Sequence, residues 1–292
     1  MTAALEAVMN EPAVSHGPAA YAVFGNPIKH SKSPAIHGAF AAQFGADVSY
    51  RAVAVPLEAF EEKVAAFFRR GGSGLNVTVP FKERAWAMAD SASDRASKAR
   101  AANCLIPLEG GGLHADNTDG LGMVRDMVIN QGWQLAGRRT LVLGAGGAVR
   151  GILQPLLAER PASLTVVNRT AERAQQLATE FADAPLSISA GGFDSVAGCE
   201  FDLIINGTSA GLAGEMPDLP EGLLSERCCC YDLVYQSEPT AFMRWAAARA
   251  AWAVTDGLGM LVEQAAESFY LWRQQRPSTA PVIQQLRELM TP

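Results

Sequence analysis

The chain has 292 residues, 49% of them hydrophobic and 18% charged, with a formal net charge of −6. This is the profile of a folded globular protein long enough for two domains, and it excludes a disordered chain. The acidic balance argues against a general nucleic-acid binder, and no apolar run is long enough to span a membrane.

Residues 1–18 carry acids but no basic start, so they read as a flexible N-terminal extension and not as a signal peptide. The apolar strand YAVFG (21–25) follows, then GNPIKHSKSPAIH. A residue before proline favours extended backbone, in which residues two apart project the same way. Ser31 and Ser33 then offer two neutral donors side by side, which suits a carboxylate. Lys32 is expected to point away from them. In the competing reading Ser33 only caps a helix beginning at Pro34.

VSYRAVAV reads as a strand and LEAFEEKVAAFFRRGG as an amphipathic helix closed by Gly71. In LNVTVP the alternation puts Leu75, Val77 and Val79 on one face, with Asn76 and Thr78 on the other. A polar face on a strand of an α/β sheet suggests a pocket wall. Lys82 falls in the first turn of the next helix, beside the positive end of its dipole. Asp116, Asn117 and Asp119 sit on a loop before a helix, and Asn103 and Asn206 are polar residues at strand or turn ends, where α/β sheets bind ligands. Asp119 before glycine also fits a plain turn residue.

In the second half LVLGAGGAVRG joins an apolar strand to a helix. Gly144 and Gly146 permit a tight turn and close approach of a pyrophosphate, and the helix start faces the anion. The third glycine of the common dinucleotide pattern is Val149 here. At the end of the next strand an NAD site places Asp or Glu. This chain has Asn168, Arg169 and Thr170, with Arg173 one turn on, which favours NADP over NAD. Thr170 also fits a helix cap. Strands alternate with helices through FDLIINGTS and CCCYDLVY, and two helices, about 259–275 and 281–290, end the chain.

Cys228, Cys229 and Cys230 are adjacent and read as reduced strand residues of a cytoplasmic protein. The four histidines show no metal spacing, so no metal is expected. The fold class is α/β in two domains separated by a cleft. The substrate domain, with a mainly parallel sheet, spans 19–119 and is completed by helices in 257–292. A Rossmann-like NADP domain spans 120–256.

Taken together, GNPIKHSKSP, NVTVPFK, AANCL, NTDGLG, GAGGAVR, NRT with Arg173, NGTSAG, DLVY and GMLVEQAA resemble the shikimate dehydrogenase family, from about Tyr21 to the C-terminal helix. The resemblance implies that Ser31 and Ser33 hold the carboxylate of shikimate with Tyr235 nearby. It also implies that Asn76, Thr78, Asn103, Asp119 and Gln264 bind elsewhere on the substrate, and that Lys82 and Asp119 are the catalytic pair. For NADP it implies Gly144, Ala145, Gly146, Gly147, Ala148, Asn168, Arg169, Thr170 and Arg173, with Leu233 and Gly257 approaching the nicotinamide. The implied reaction is reversible reduction of 3-dehydroshikimate by NADPH, in a monomer or homodimer. Open alternatives are dual use of quinate, a non-catalytic NADP-binding sensor and a folate-type dehydrogenase. There are three departures from the family pattern: Ser237 occupies a usual proline position after Tyr235, Lys32 a usual apolar position between the serines, and Gly207 a usual alanine position.

Overall fold

The computed structural model describes residues 19–208 and 215–290. The expected N-terminal extension, and Ser209 to Gly211 of NGTSAG, lie outside them.

The first half builds a six-stranded sheet from β1 (Ala19–Gly25), β2 (Val48–Ala54), β3 (Gly72–Val77), β4 (Ser91–Ala92), β5 (Cys104–Pro107) and β6 (Leu113–Asp116), in the order β2-β1-β3-β5-β6-β4. β1 runs parallel to β2 and β3, and β4 runs parallel to β6. β5 is antiparallel to both β3 and β6, and the short Leu108–Gly112 turn makes β5 and β6 a hairpin. The sheet is thus mixed, with parallel pairs at both ends; at the β2-β1-β3 end α1 (Ser33–Gln43) and α2 (Phe60–Arg69) provide the crossovers.

The second sheet is wholly parallel: β7 (Arg139–Leu143), β8 (Ser163–Val167), β9 (Ile188–Gly191), β10 (Phe201–Asn206), β11 (Leu224–Asp232) and β12 (Ala253–Thr255). Its order, β12-β11-β10-β7-β8-β9, is the doubly wound arrangement, with the direction of winding reversing between β7 and β10. Apolar runs such as LVL and LII are buried on both faces, as a parallel sheet between helix layers requires. Cys228, Cys229 and Cys230 are fully buried in β11 and act there as small apolar residues.

α3 (Lys82–Ala87) packs through Ala85 into the core of the first sheet, while α4 (Asp94–Ala99) and α5 (Asp119–Arg125), with a π-helical turn over Asp126–Asn130, pack against α6 (Gly147–Ala158) of the second half. α7 (Ala171–Glu180) and α8 (Ala241–Ala248) flank the second sheet, and α9 (Leu258–Arg273) and α10 (Ala280–Met290) end the chain. Ile36 and Phe40 of α1 share a core with Val262, Phe269, Val282 and Leu286, so the last two helices pack back onto the first half. α5 and α9 cross very closely. A Cβ on Gly122 would stand 2.6 Å from the main-chain nitrogen of Gln264, so only glycine permits the crossing. That crossing fixes Gln264 relative to Asp119.

Candidate active site

The carboxyl ends of β1 and β3 open into a cavity of about 380 Å³. Ser31, Ser33, Asn76, Thr78, Lys82, Asn103, Asp119, Tyr235 and Gln264 all line it, as do Leu233 and Gly257. Side chains far apart in the sequence therefore converge on one space.

At its centre Lys82 Nζ lies 2.6 Å from Asp119 Oδ2, with side-chain exposures of 28% and 14%. Lys82 is the first residue of α3, and its carbonyl accepts from the Ala102 N–H at 2.8 Å. Asp119 is likewise the first residue of α5, not a loop residue, and a carboxylate there is favoured by the helix dipole. Its other oxygen accepts from Asn103 Nδ2 at 2.8 Å, and its N–H donates to Asn117 Oδ1 at 3.2 Å. Asn103 Nδ2 also lies within 3.1 Å of Gln264 Oε1, and Asn103 Oδ1 accepts from the Thr118 N–H at 2.8 Å. The ammonium, the carboxylate and two amides form one connected network, which holds the cation at the cavity wall in a fixed direction.

Asn76 is buried at the end of β3; its Nδ2 donates to the Asn103 carbonyl at 2.9 Å and to Ser268 Oγ at 3.0 Å. The expected alternation stops there. β3 ends at Val77, and Val79 is 62% exposed and lines the cavity instead of joining the core. The chain turns at Thr78, whose carbonyl accepts from the Phe81 N–H at 3.0 Å.

The serine segment is also a turn and not extended chain. Lys32 is helical (φ −85°, ψ −10°) and occupies the cap position of α1, with no side-chain cap bond. Ser33 is the first helical residue, so the simple capping role does not hold. Ser31 Oγ accepts from the Ser33 N–H at 3.3 Å, leaving its own proton to donate. Both serines still face the cavity, through a turn instead of a strand. Lys32, expected to point away, lines the cavity with Lys29 and His30 and makes that end cationic. Tyr235 stands in the wall despite the altered loop that follows it, and burial pushes its phenol above the usual range.

The glycine-rich corner lies at the winding reversal of the second sheet. Gly144 has φ +104°, and a Cβ there would stand 2.9 Å from the Gly207 carbonyl, so glycine is required twice over. Gly146 caps the twelve-residue α6, and a Cβ on Gly146 or Gly147 would meet nothing within 4 Å. Ala145 is half-buried, whereas Gly146, Gly147 and Ala148 are exposed. The first turn thus presents open N–H groups to free space, as a pyrophosphate requires. Val149, in place of the third glycine, is buried, and its Cγ2 would lie only 2.5 Å from a Cβ on Gly207. The glycine missing from α6 is matched by one just after β10.

Asn168 follows β8 and donates to the Thr170 carbonyl at 2.9 Å. Thr170 holds the cap position of α7 but makes no side-chain cap bond. Arg169 and Thr170 are exposed, as is Arg173, and neither arginine has a carboxylate partner among the described residues. Two uncommitted guanidinium groups beside a hydroxyl, with no acid at the strand end, fit a 2′-phosphate. Leu233 and Gly257 bound the cavity from the side of the second sheet. A Cβ on Gly257 would stand 2.4 Å from the Leu233 carbonyl, so glycine lets the two segments meet.

Sequence reasoning missed Met260 and Leu261, which line the same cavity. Met260 is one turn before Gln264 on α9, so helical spacing from Gln264 was the signal for it.

Three segments match known family domains: 23–105 the shikimate dehydrogenase substrate binding domain, 127–213 shikimate / quinate 5-dehydrogenase, and 257–287 the shikimate 5'-dehydrogenase C-terminal domain. The chain is 57% identical to the shikimate dehydrogenase (NADP(+)) of Alkalilimnicola ehrlichii over 91% of its own length and 98% of that protein. The chain belongs to the shikimate dehydrogenase family. Among solved structures it superimposes on the Ael1 enzyme from Pseudomonas putida with TM-score 0.86 at 43% identity, covering 94% of this chain and 98% of that one. Shikimate 5-dehydrogenase from Thermus thermophilus, solved in complex with NADP(H) and shikimate, gives TM-score 0.81 at 34% identity, covering 92% and 99%.

Proposed function

We propose that this chain catalyses the reversible NADPH-dependent reduction of 3-dehydroshikimate to shikimate. The observation that carries this reading is the Lys82–Asp119 pair at 2.6 Å, inside a cavity bounded by Ser31 and Ser33 at one end and by Leu233 and Gly257 at the other. When bound, NADPH supplies the hydride that reduces the C3 carbonyl carbon. The Ser31 and Ser33 hydroxyls hold the carboxylate, with Tyr235 closing that end. Thr78, Asn103 and Gln264 meet the ring hydroxyls. The Lys82 ammonium faces the carbonyl oxygen, stabilises the developing alkoxide and delivers or relays its proton; Asp119 orients Lys82 and binds the neighbouring hydroxyl. The α6 N-terminus holds the pyrophosphate, and Arg169, Thr170 and Arg173 hold the 2′-phosphate.

In this reading residues 19–119 with 257–292 form the substrate domain and 120–256 the NADP domain of a cytoplasmic monomer or homodimer. Among the described residues no helix is long and apolar enough to cross a membrane. Steady-state rates at 340 nm with shikimate and quinate, each with NADP and NAD, test the function. The shikimate–NADP pair should have the highest kcat/KM. Comparable rates with quinate would point to dual use, and absence of turnover in all four pairs would overturn the assignment as an enzyme of this class.

A further inference from the structure

We propose that Asp126 and Tyr231, which do not line the cavity, are positioning residues that hold the wall facing the nicotinamide in register with the Asp119 carboxylate. This inference rests on the function proposed above.

α5 begins at Asp119 and runs on into the π-helical turn that begins at Asp126. Asp126 thus stands two helical turns beyond Asp119, about 10 Å along the axis. Asp119 reaches the cavity, whereas Asp126 is fully buried. Donors meet both of its oxygens. Tyr231 Oη donates to Oδ2 at 2.6 Å, and Asn130 Nδ2 donates to Oδ1 at 3.0 Å. Asn130 gives its other hydrogen to Glu263 Oε1, also at 3.0 Å, on α9. A carboxylate taken out of water is stable only where such donors stand, so it is held to one place.

The wall beside the nicotinamide is made of two pieces, Leu233 just after β11 and the segment from Gly257 to Met260 at the start of α9. Asp126 reaches both. Tyr231 lies near the end of β11, and Leu233, two residues on, packs against the same core cluster. On the α9 side a Cβ on Gly259 would stand 2.1 Å from Asp126 Oδ1, so the carboxylate lies against the helix main chain and only glycine leaves it room. The two pieces also meet directly, since the Gly257 N–H donates to the Val234 carbonyl at 3.2 Å. One stretch of helix therefore carries the acid of the Lys82 pair at its start and the clamp on the nicotinamide wall at its far end. Hydride transfer needs donor and acceptor carbons aligned, and a misplacement of about 1 Å can cost about 10²-fold in rate. Loss of the clamp should show in the transfer step and not in binding.

Tyr231→Phe keeps the ring and deletes only the hydroxyl. Stopped-flow single turnovers at 340 nm, with both ligands saturating, should show hydride transfer slowed about 3- to 30-fold. The amplitude per chain, and the Kd values of shikimate and NADPH from fluorescence titration, should stay within about twofold of wild type. Asp126→Ala should slow transfer at least as much. Asp126→Asn keeps the volume and can still pair with the phenol, so it should slow transfer less than Asp126→Ala. Where Asp126→Ala does not fold, Tyr231→Phe decides alone. A merely structural role gives the opposite split: lost amplitude or affinity, with an unchanged rate in the molecules that still turn over. That split would overturn the proposal, as would a transfer rate within about twofold of wild type in both Tyr231→Phe and Asp126→Ala. A wild-type chain that binds NADPH but is inert towards shikimate would overturn the function instead. The nicotinamide emission of bound NADPH, expected to differ between wild type and Tyr231→Phe, would then decide the role of the clamp by itself.

Discussion

The two halves of the molecule prepare for their ligands in opposite ways. In the proposed substrate site Lys82, Asp119, Asn103, Asn76 and Gln264 are already hydrogen-bonded to one another. In the proposed cofactor site Gly146, Gly147, Arg169, Thr170 and Arg173 are exposed, with open space above the first turn of α6. The difference teaches where each kind of affinity comes from. A small polyol acid must be aligned to within a fraction of an ångström, and a network held on rigid elements does that. A dinucleotide phosphate is gripped by charge and free N–H groups, which need reach more than rigidity.

The largest expected effect breaks the network at its cation. Lys82→Ala should lower kcat about 10²- to 10⁴-fold with little change in the KM for shikimate, measured at 340 nm. A near-normal kcat would remove Lys82 from the chemistry. The second prediction probes the exposed side. Replacing Arg169 and Arg173 together by alanine should raise the KM for NADP more than about 100-fold, at about 1.5–3 kcal/mol for each of two hydrogen bonds to a charged group. The KM for shikimate and the rate with NAD should stay nearly constant, and the NADP effect should shrink at high salt. Equal losses with NAD and NADP would show that these arginines do not read the 2′-phosphate.

Two smaller effects concern packing behind each site. Gly207→Ala brings a Cβ to 2.5 Å from Val149 Cγ2 and should cost about 1–3 kcal/mol of stability in urea unfolding. Most of that should return in the double variant Gly207→Ala/Val149→Ala; failure to recover would mean the glycine answers to something other than Val149.

The smallest effect is a pH slope from His37, whose imidazole is held at about 3 when folded against an ordinary value of 6.5. Between these values the unfolded chain binds the extra proton, so stability falls as pH is lowered below about 6.5 and the loss is complete near 3. Relative to His37→Phe, the wild type should therefore lose about 1–2 kcal/mol between about pH 7.5 and about pH 5. Parallel stability curves for the two proteins would place the buried ring elsewhere.

Much of this was legible in the sequence, for definite reasons. The doubly wound half follows from apolar strands alternating with helices, and its phosphate corner from glycines at a strand-to-helix turn. Lys82 was marked by a helix-start position and by motif, Asp119 by motif and as a loop residue before a helix; the structure makes Asp119 the first residue of α5 and brings the two together. The serine pair reached the cavity by another route than expected: a turn at Lys32 replaced the extended chain, because α1 starts one residue before Pro34. The β5–β6 hairpin gave the first sheet its antiparallel pairs, which the β-α-β opening alone did not announce.

By itself the sequence determined what depends on neighbours along the chain: element type, the φ +104° turn at Gly144, the missing acid after β8 and the uncommitted arginines. Only the tertiary structure decided what depends on distant segments meeting. The Tyr50 hydroxyl meets Asn76, and His37 stacks on Tyr50, because β2, α1 and β3 pack together, and Val149 found room because Gly207 lies across the winding reversal. Local patterns carry backbone preferences, whereas hydrogen-bond partners separated by tens of residues carry no periodic trace and appear only when the chain is folded.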